Sequence, residues 1–200
     1  MKFLLVAFAI VGFTSNAQSE LEAQTTNSTT KSVAGIKAGY NLASVSIDGN
    51  SDTDFRHGLH VGFYGESYIA EVASIQLEVL YSQQGYELKS DSGTFTQKLN
   101  YINVPISLKI YPIKNFYLEA GPQIGLAISH KEEFDSELNL FDTEQEFDPK
   151  SFDYGANLGF GIKANSGFSI GARYYFGLGD IYDEGNPRNR VLQISAGLAF

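Results

Sequence analysis

Eight stretches of the chain alternate hydrophobic and polar residues with a period of two, which is the pattern of half-buried β-strands. In FDYGANLGFGIKA (residues 152–164), every second residue from Phe152 to Ala164 is apolar, and the residues between them are Asp, Gly, Asn or Lys. The predicted strands cover residues 33–43, 59–69, 75–81, 100–110, 116–128, 152–164, 168–178 and 192–200. Each strand therefore has two chemically opposite faces, which favours an all-β fold.

All charged residues within these predicted strands lie on the polar faces. They are Lys37, Glu66, Glu78, Lys109, Glu119, Asp153, Lys163 and Arg173. Turning the four cations toward lipid would cost about 2–4 kcal/mol each at the bilayer midplane, or on the order of 10 kcal/mol together. That sum is comparable with the stability of a whole domain. We therefore predict that the charged face lines a barrel interior as a structural, charge-paired network.

The segments between predicted strands alternate between long and short, with 15, 5, 18, 5, 23, 3 and 13 residues in chain order. Alternating long loops and short turns, with an even strand number, are typical of outer-membrane barrels whose termini are both periplasmic. Barrel closure also leaves no unpaired backbone edge in lipid. We predict an eight-stranded antiparallel up-and-down transmembrane β-barrel over residues 33–200. An interior of that size is just wide enough for side chains to fill.

The first 17 residues have the features of an export signal: Lys2, an apolar run over residues 3–13, and small residues up to Ala17. The run is shorter than the roughly 20 apolar residues that a transmembrane helix needs. Residues 18–32 are polar and show no periodicity, so we expect a flexible periplasmic leader there after cleavage of the signal.

Composition argues against several classes of function. The chain contains no cysteine, which excludes disulfides, thiol catalysis and thiolate metal sites. Its formal net charge of −9 disfavours nucleic-acid binding, since phosphates require Lys and Arg partners. His57 and His130 fall at the rim formed by the long loops, but no catalytic or phosphate-binding motif accompanies them. We predict no catalytic residue, no metal site and no cofactor.

The longest connection, over residues 129–151, is strongly acidic. Its carboxylates are Glu132, Glu133, Asp135, Glu137, Asp142, Glu144, Glu146 and Asp148. A solvated external loop is the simpler interpretation. Binding of a divalent cation or of a cationic partner is the alternative, because carboxylate oxygens are the ligands that hard divalent cations prefer.

Three segments resemble the PorT-type outer-membrane β-barrel family. They are YINVPISLKIYP (101–112), YGANLGFGIKANSGFSIGARYYFGLGDI (154–181) and VLQISAGLAF (191–200). The resemblance covers residues 33–200 and implies an eight-stranded barrel in the outer membrane of a Gram-negative bacterium. Phe200, with apolar residues at alternate preceding positions, resembles the signal that the barrel-assembly machinery recognises. The family's namesake is associated with protein secretion to the cell surface, but these motifs encode barrel walls and imply no activity.

We therefore predict a non-enzymatic outer-membrane barrel that acts in envelope integrity, in surface interaction or as an accessory to secretion. Its expected contacts are outer-membrane lipid, the assembly machinery during insertion, and an unidentified surface or secretion partner, with no nucleic acid among them. One alternative is a small outer-membrane barrel enzyme acting on lipid or peptide. Another is a soluble lipocalin-like carrier whose apolar faces point inward.

Overall fold

The computed structural model describes residues 31–47, 50–51, 53–90, 93–136, 143–145, 152–181 and 187–200. The predicted export signal and residues 18–30 of the predicted leader lie outside the described residues. The described strands are β1 (Ser32–Ile47), β2 (Asn50–Ser51), β3 (Asp54–Ala70), β4 (Ala73–Ser90), β5 (Gly93–Ile113), β6 (Phe116–Ser136), β7 (Thr143–Gln145), β8 (Phe152–Lys163), β9 (Phe168–Gly177) and β10 (Arg188–Ala199).

Eight of these strands form one closed antiparallel barrel, as the alternation predicted. Their order around the barrel is β1, β3, β4, β5, β6, β8, β9 and β10, and β10 pairs with β1 to close it. The closing register runs from Gly35 opposite Ala199 to Ser46 opposite Arg188. The short strands β2 and β7 pair with β1 and β6. Within the described ranges, no helix has the length and apolar character needed to cross a membrane.

The two ends of the barrel differ in their connections. At one end, which we call the turn end, residues 71–72, 114–115 and 164–167 join consecutive strands. Asn115 and Gly167 have positive φ angles of 79° and 88°, which lets the chain reverse tightly. The C terminus lies at this end, where the Phe200 amide donates to the Ala34 carbonyl at 2.9 Å. We call the opposite end, which carries β2 and β7, the loop end.

The strands extend farther at the loop end than the sequence predicted. β4, β5 and β6 contain 18, 21 and 21 residues, whereas β8, β9 and β10 contain 12, 10 and 12. The predicted 18-residue loop over residues 82–99 is wrong, because β4 and β5 continue through it until Ser90 pairs with Gly93. At about 3.3 Å per residue, 21 residues span about 70 Å, far more than an apolar band of about 25 Å. We call the loop-end parts of β4, β5 and β6 (residues 83–90, 93–100 and 130–136) the projecting wall.

The outward face of the barrel is hydrophobic. In β8, Leu158, Phe160 and Ile162 are 60%, 55% and 57% exposed. Outward aromatic residues near strand ends include Phe152, Tyr154, Phe168, Phe176 and Phe200, whereas Tyr40 and Tyr81 lie in the middle of β1 and β4. A soluble lipocalin-like carrier requires the reverse arrangement, with apolar side chains inside, so this fold argues against that alternative.

Candidate functional site in the barrel interior

All eight charged residues that the sequence analysis assigned to polar faces lie inside the barrel. They occupy three levels between its ends. Glu66 and Lys163 lie at the turn end; Lys37, Glu78, Lys109, Glu119 and Arg173 form a central level; Asp153 lies toward the loop end. Tyr64, Tyr101, Tyr117 and Tyr175 are buried among them and Tyr68 is half-buried.

The central level is organised around two carboxylates. Glu78 Oε1 accepts hydrogen bonds from Lys37 Nζ at 2.8 Å and from Arg173 Nη2. Arg173 Nε donates to Glu119 Oε1 at 2.8 Å, and Lys109 Nζ lies 3.9 Å from Glu119 Oε2. Three cations and two carboxylates give this level a net charge of +1. Since these groups are desolvated, loss of one partner would leave an unpaired buried charge.

The turn-end level is a hydrogen-bonded ion pair. Lys163 Nζ donates to Glu66 Oε2 at 2.6 Å and lies 3.2 Å from the Tyr68 hydroxyl oxygen. Glu66 Oε1 accepts from Ser74 Oγ at 2.6 Å and from the Tyr111 hydroxyl at 2.5 Å. Both carboxylate oxygens therefore have donors. Lys163 also lines an open vestibule of about 510 Å³ at this end of the barrel.

His60 forms a polar layer that the sequence analysis missed. Its Nδ1 lies 2.7 Å from Asn41 Oδ1, and its Nε2 lies 2.8 Å from Ser195 Oγ. Asn41 Nδ2 donates to Ser82 Oγ at 3.0 Å, so Asn41 Oδ1 is assigned as the acceptor and His60 Nδ1 as the protonated nitrogen. Strand alternation was the signal that could have found His60, because it shares the face of Glu66.

Asp153 differs from the other predicted lumenal charges in its contacts. Its Oδ2 accepts a hydrogen bond from Asn189 Nδ2 at 2.9 Å. In the described part of the chain, the carboxylate makes no ion pair, and its Oδ1 has no hydrogen-bond partner. The Tyr175 ring lies beside it, although the Tyr175 hydroxyl makes no hydrogen bond of good geometry with a described residue.

An apolar cluster lies inside the barrel near the loop end. Val45, Leu99, Tyr101 and Ile181 are at most 3% exposed and pack together. Ile181 follows β9 and turns inward, where its amide donates to the Pro187 carbonyl at 2.8 Å. The predictions that placed residues 44–58 and 82–99 in loops therefore missed Val45 and Leu99, which belong to strands and fill the interior.

Of the residues considered for catalysis or cation binding at the loop end, His57 is the one whose side chain the structure describes. His57 is exposed, and its Nδ1 lies 2.6 Å from the Tyr40 hydroxyl oxygen. The His130 side chain lies outside the described residues. So do all the carboxylates of the acidic segment; of these residues, Glu132, Glu133 and Asp135 have their backbone in β6 and Glu144 in β7. The described residues include no group of three or more His, Cys, Asp or Glu that could hold a metal ion.

A family model described as outer membrane protein beta-barrel domain matches residues 16–183 of the chain. The solved structure of Neisserial surface protein A is 18% identical, covers 84% of this chain and 97% of its own, and superposes with a TM-score of 0.53. A second solved structure is that of Ail, the attachment invasion locus protein of Yersinia pestis, in complex with the heparin analogue sucrose octasulfate. It is 17% identical, covers 85% of this chain and 99% of its own, and has a TM-score of 0.48. A comparison with curated proteins finds no significant match.

Proposed function

Since the chain belongs to the outer membrane protein β-barrel domain family, we propose that it is a non-conducting, non-enzymatic barrel whose loop end makes contacts at the cell surface. Membership of the family implies the outer membrane of a Gram-negative bacterium. Of the predicted roles, surface interaction suits the projecting wall better than envelope integrity or secretion. The narrower PorT-type assignment stays a prediction, and no secretion role is carried over from it.

Hydrogen bonds across the full width of the lumen are the observation that carries this proposal. Lys163 on β8 contacts Glu66 on β3, and Arg173 on β9 contacts Glu78 on β4. The two strands of each pair lie four steps apart in either direction around the barrel. Asn189 on β10 lies 3.4 Å from the hydroxyl of Tyr101 on β5, again four steps away. These contacts support an interior filled with side chains at three levels, which leaves no continuous water path.

The projecting wall supports a role at the loop end. Its strands continue beyond the length that a bilayer requires. Leu88 on β4 is 41% exposed and Phe55 on the neighbouring β3 is 56% exposed. Aromatic and aliphatic side chains of this kind supply the apolar contacts at the centre of protein interfaces. We assign the partner-binding surface to this wall.

The enzyme alternative has one observation in its favour. Ser195, His60 and Asn41 are hydrogen-bonded in the order of a nucleophile, a base and an orienting group. However, Ser195 lies in the middle of paired strands, opposite Gly39 on one side and Gly171 on the other. The neighbouring N–H groups therefore serve the sheet rather than a developing oxyanion. We assign His60 a structural role.

Two measurements test the proposal. Purified barrel in planar bilayers should give no conductance steps; reproducible steps from the wild type would contradict the filled lumen. A photo-crosslinking residue in place of Leu88 should capture a protein in living cells, whereas the same residue in place of the outward Ile162 should capture lipid. Identical crosslinked products from the two positions would contradict a surface-interaction role.

A further inference from the structure

We propose that the loop-end part of the lumen holds a monovalent cation, Na⁺ or K⁺, bound to the carboxylate of Asp153 and to neighbouring neutral oxygen atoms. The inference starts from the burial of this carboxylate. Asp153 is 5% exposed; Oδ2 has an amide donor, and Oδ1 has no hydrogen-bond partner of good geometry among the described residues, although the Tyr175 hydroxyl group lies beside the carboxylate. A buried charge is costly unless an opposite charge or a metal ion compensates it.

Further buried polar atoms near the carboxylate have no partner in the described part of the chain. Asn189, which is fully buried, uses its Nδ2 for Asp153 and leaves Oδ1 without a donor among the described residues. Asn103 is 1% exposed, and neither atom of its amide has a partner in the described part of the protein. Native proteins rarely leave buried polar atoms unpaired, so several together indicate a bound ion or solvent.

Gly125 brings Asn103 and Asp153 to the same site. The three residues lie opposite one another on β5, β6 and β8. A Cβ atom at Gly125 would lie 2.6 Å from Asn103 Oδ1 and 3.6 Å from Asp153 Cβ. Because Gly125 has no side chain, the amide of Asn103 and the carboxylate of Asp153 approach the same space in the lumen.

Among the described cations, Arg190 lies close enough to act electrostatically on Asp153. It forms no ion pair with that carboxylate, and its Nη1 donates to the carbonyl oxygens of Gly177 and Asn189. The central level carries the excess positive charge, and its Arg173 lies opposite Gly159. Gly159 follows Asp153 by six residues, or about 20 Å along an extended strand. That distance is too great for Arg173 to replace a contact ion.

The donor set selects the class of cation. Carboxylate and amide oxygens are ligands for hard cations. A single carboxylate balances one positive charge, whereas a divalent ion would leave an uncompensated charge in a buried site. Ca²⁺ also prefers six to eight oxygen ligands, usually with several carboxylates among them. A monovalent ion therefore fits the charge and the donor atoms of this site.

The test measures urea unfolding of the refolded barrel in detergent micelles at constant ionic strength, with choline chloride exchanged for NaCl or KCl. Choline is a quaternary ammonium ion, which oxygen atoms cannot coordinate at close range, and it serves as the reference cation. We expect the urea midpoint of the wild type to rise with Na⁺, with K⁺ or with both. Once the ion exceeds its dissociation constant, each tenfold increase should lower the unfolding equilibrium constant about tenfold.

Two variants make the result specific. Asp153→Asn should abolish the difference between choline and the small cations. Asp180→Asn, which changes a partly exposed loop-end carboxylate paired with Arg188, should keep that difference. If Asp153→Asn does not refold, Asn103→Ala should weaken the apparent affinity for the ion instead. Equal midpoints of the wild type in all three salts, or a response to CaCl₂ without one to NaCl or KCl, would overturn the proposal.

Discussion

The ring of Tyr117 on β6 lies against Gly161, its register partner on β8. A Cβ atom at Gly161 would lie 2.5 Å from Tyr117 Cζ, and one at Gly171 would lie 2.6 Å from the Tyr117 hydroxyl oxygen. Gly161 and Gly171 face each other in the β8–β9 ladder. The two glycines thus make room on the inner wall for the aromatic ring, a close approach that any side chain would block.

We expect Gly161→Ala to destabilise the barrel by about 1–3 kcal/mol, because the added methyl group must displace a ring that fills the lumen. Gly65→Ala is the matched control, since nothing lies within 4 Å of a Cβ atom at that position. It should change the stability little. The measurement is urea unfolding of the refolded variants; equal midpoints for the two would contradict the close packing of Tyr117.

Arg173→Ala should destabilise the barrel by about 3–5 kcal/mol, the usual cost of removing one partner from a buried ionic contact. The substitution leaves Glu78 and Glu119 without their shared guanidinium. Arg188→Ala provides a control of the same residue type. Arg188 forms an ion pair with Asp180, and the two side chains are 44% and 31% exposed. That variant should lose less than about 1 kcal/mol. Similar urea midpoints for both variants would show that the central level does not stabilise the fold.

His60→Ala should lower the stability by about 1–3 kcal/mol, because the amide of Asn41 and the hydroxyl of Ser195 would lose buried hydrogen bonds. It should leave the phospholipid and lipopolysaccharide composition of cells unchanged. His57→Ala, on the outer surface, is the control and should affect neither property. An altered lipid profile in cells carrying His60→Ala would revive the enzyme alternative.

The orientation in the membrane follows from the two different barrel ends. Because the chain has no cysteine, single cysteines can report on each end without background. A membrane-impermeant maleimide should label Glu144→Cys in intact cells and Lys114→Cys only after lysis, since long connections of such barrels face outward. Labelling of Lys114→Cys alone in intact cells would reverse the assignment.

The alternation of apolar and polar residues predicted the barrel because the face on which a strand residue lies depends only on its position along the strand. A residue such as Lys163 shares a face with its neighbours at every second position, so its place inside follows once one face is assigned to lipid. The same rule could not find the ends of β4 and β5. Beyond the bilayer the outward face no longer has to be apolar, so residues 82–99 lose their hydrophobic period although the hydrogen-bond ladder continues and Gln84, Gln97 and Leu99 stay buried inside.

The contacts within the lumen required the closed barrel. Lys163 and Glu66 are 97 residues apart in the chain, and only the strand order places β8 opposite β3. Sequence alone could count four acids and four bases, but it could not separate Asp153 from the ion pairs. Asp153 is separated from the ion pairs because it lies nearer the loop end than the central level does. The strand register sets that position.

Tryptophan fluorescence tests the central claim, that lipid surrounds the hydrophobic face and the polar face is sealed inside. The chain contains no tryptophan, so each variant carries a single reporter. Leu158→Trp replaces an outward side chain that is 60% exposed, and Tyr64→Trp replaces an inward one that is 6% exposed. In vesicles of lipids brominated along their acyl chains, we predict strong quenching for Leu158→Trp and little for Tyr64→Trp. Equal quenching of the two, or stronger quenching of Tyr64→Trp, would contradict the account.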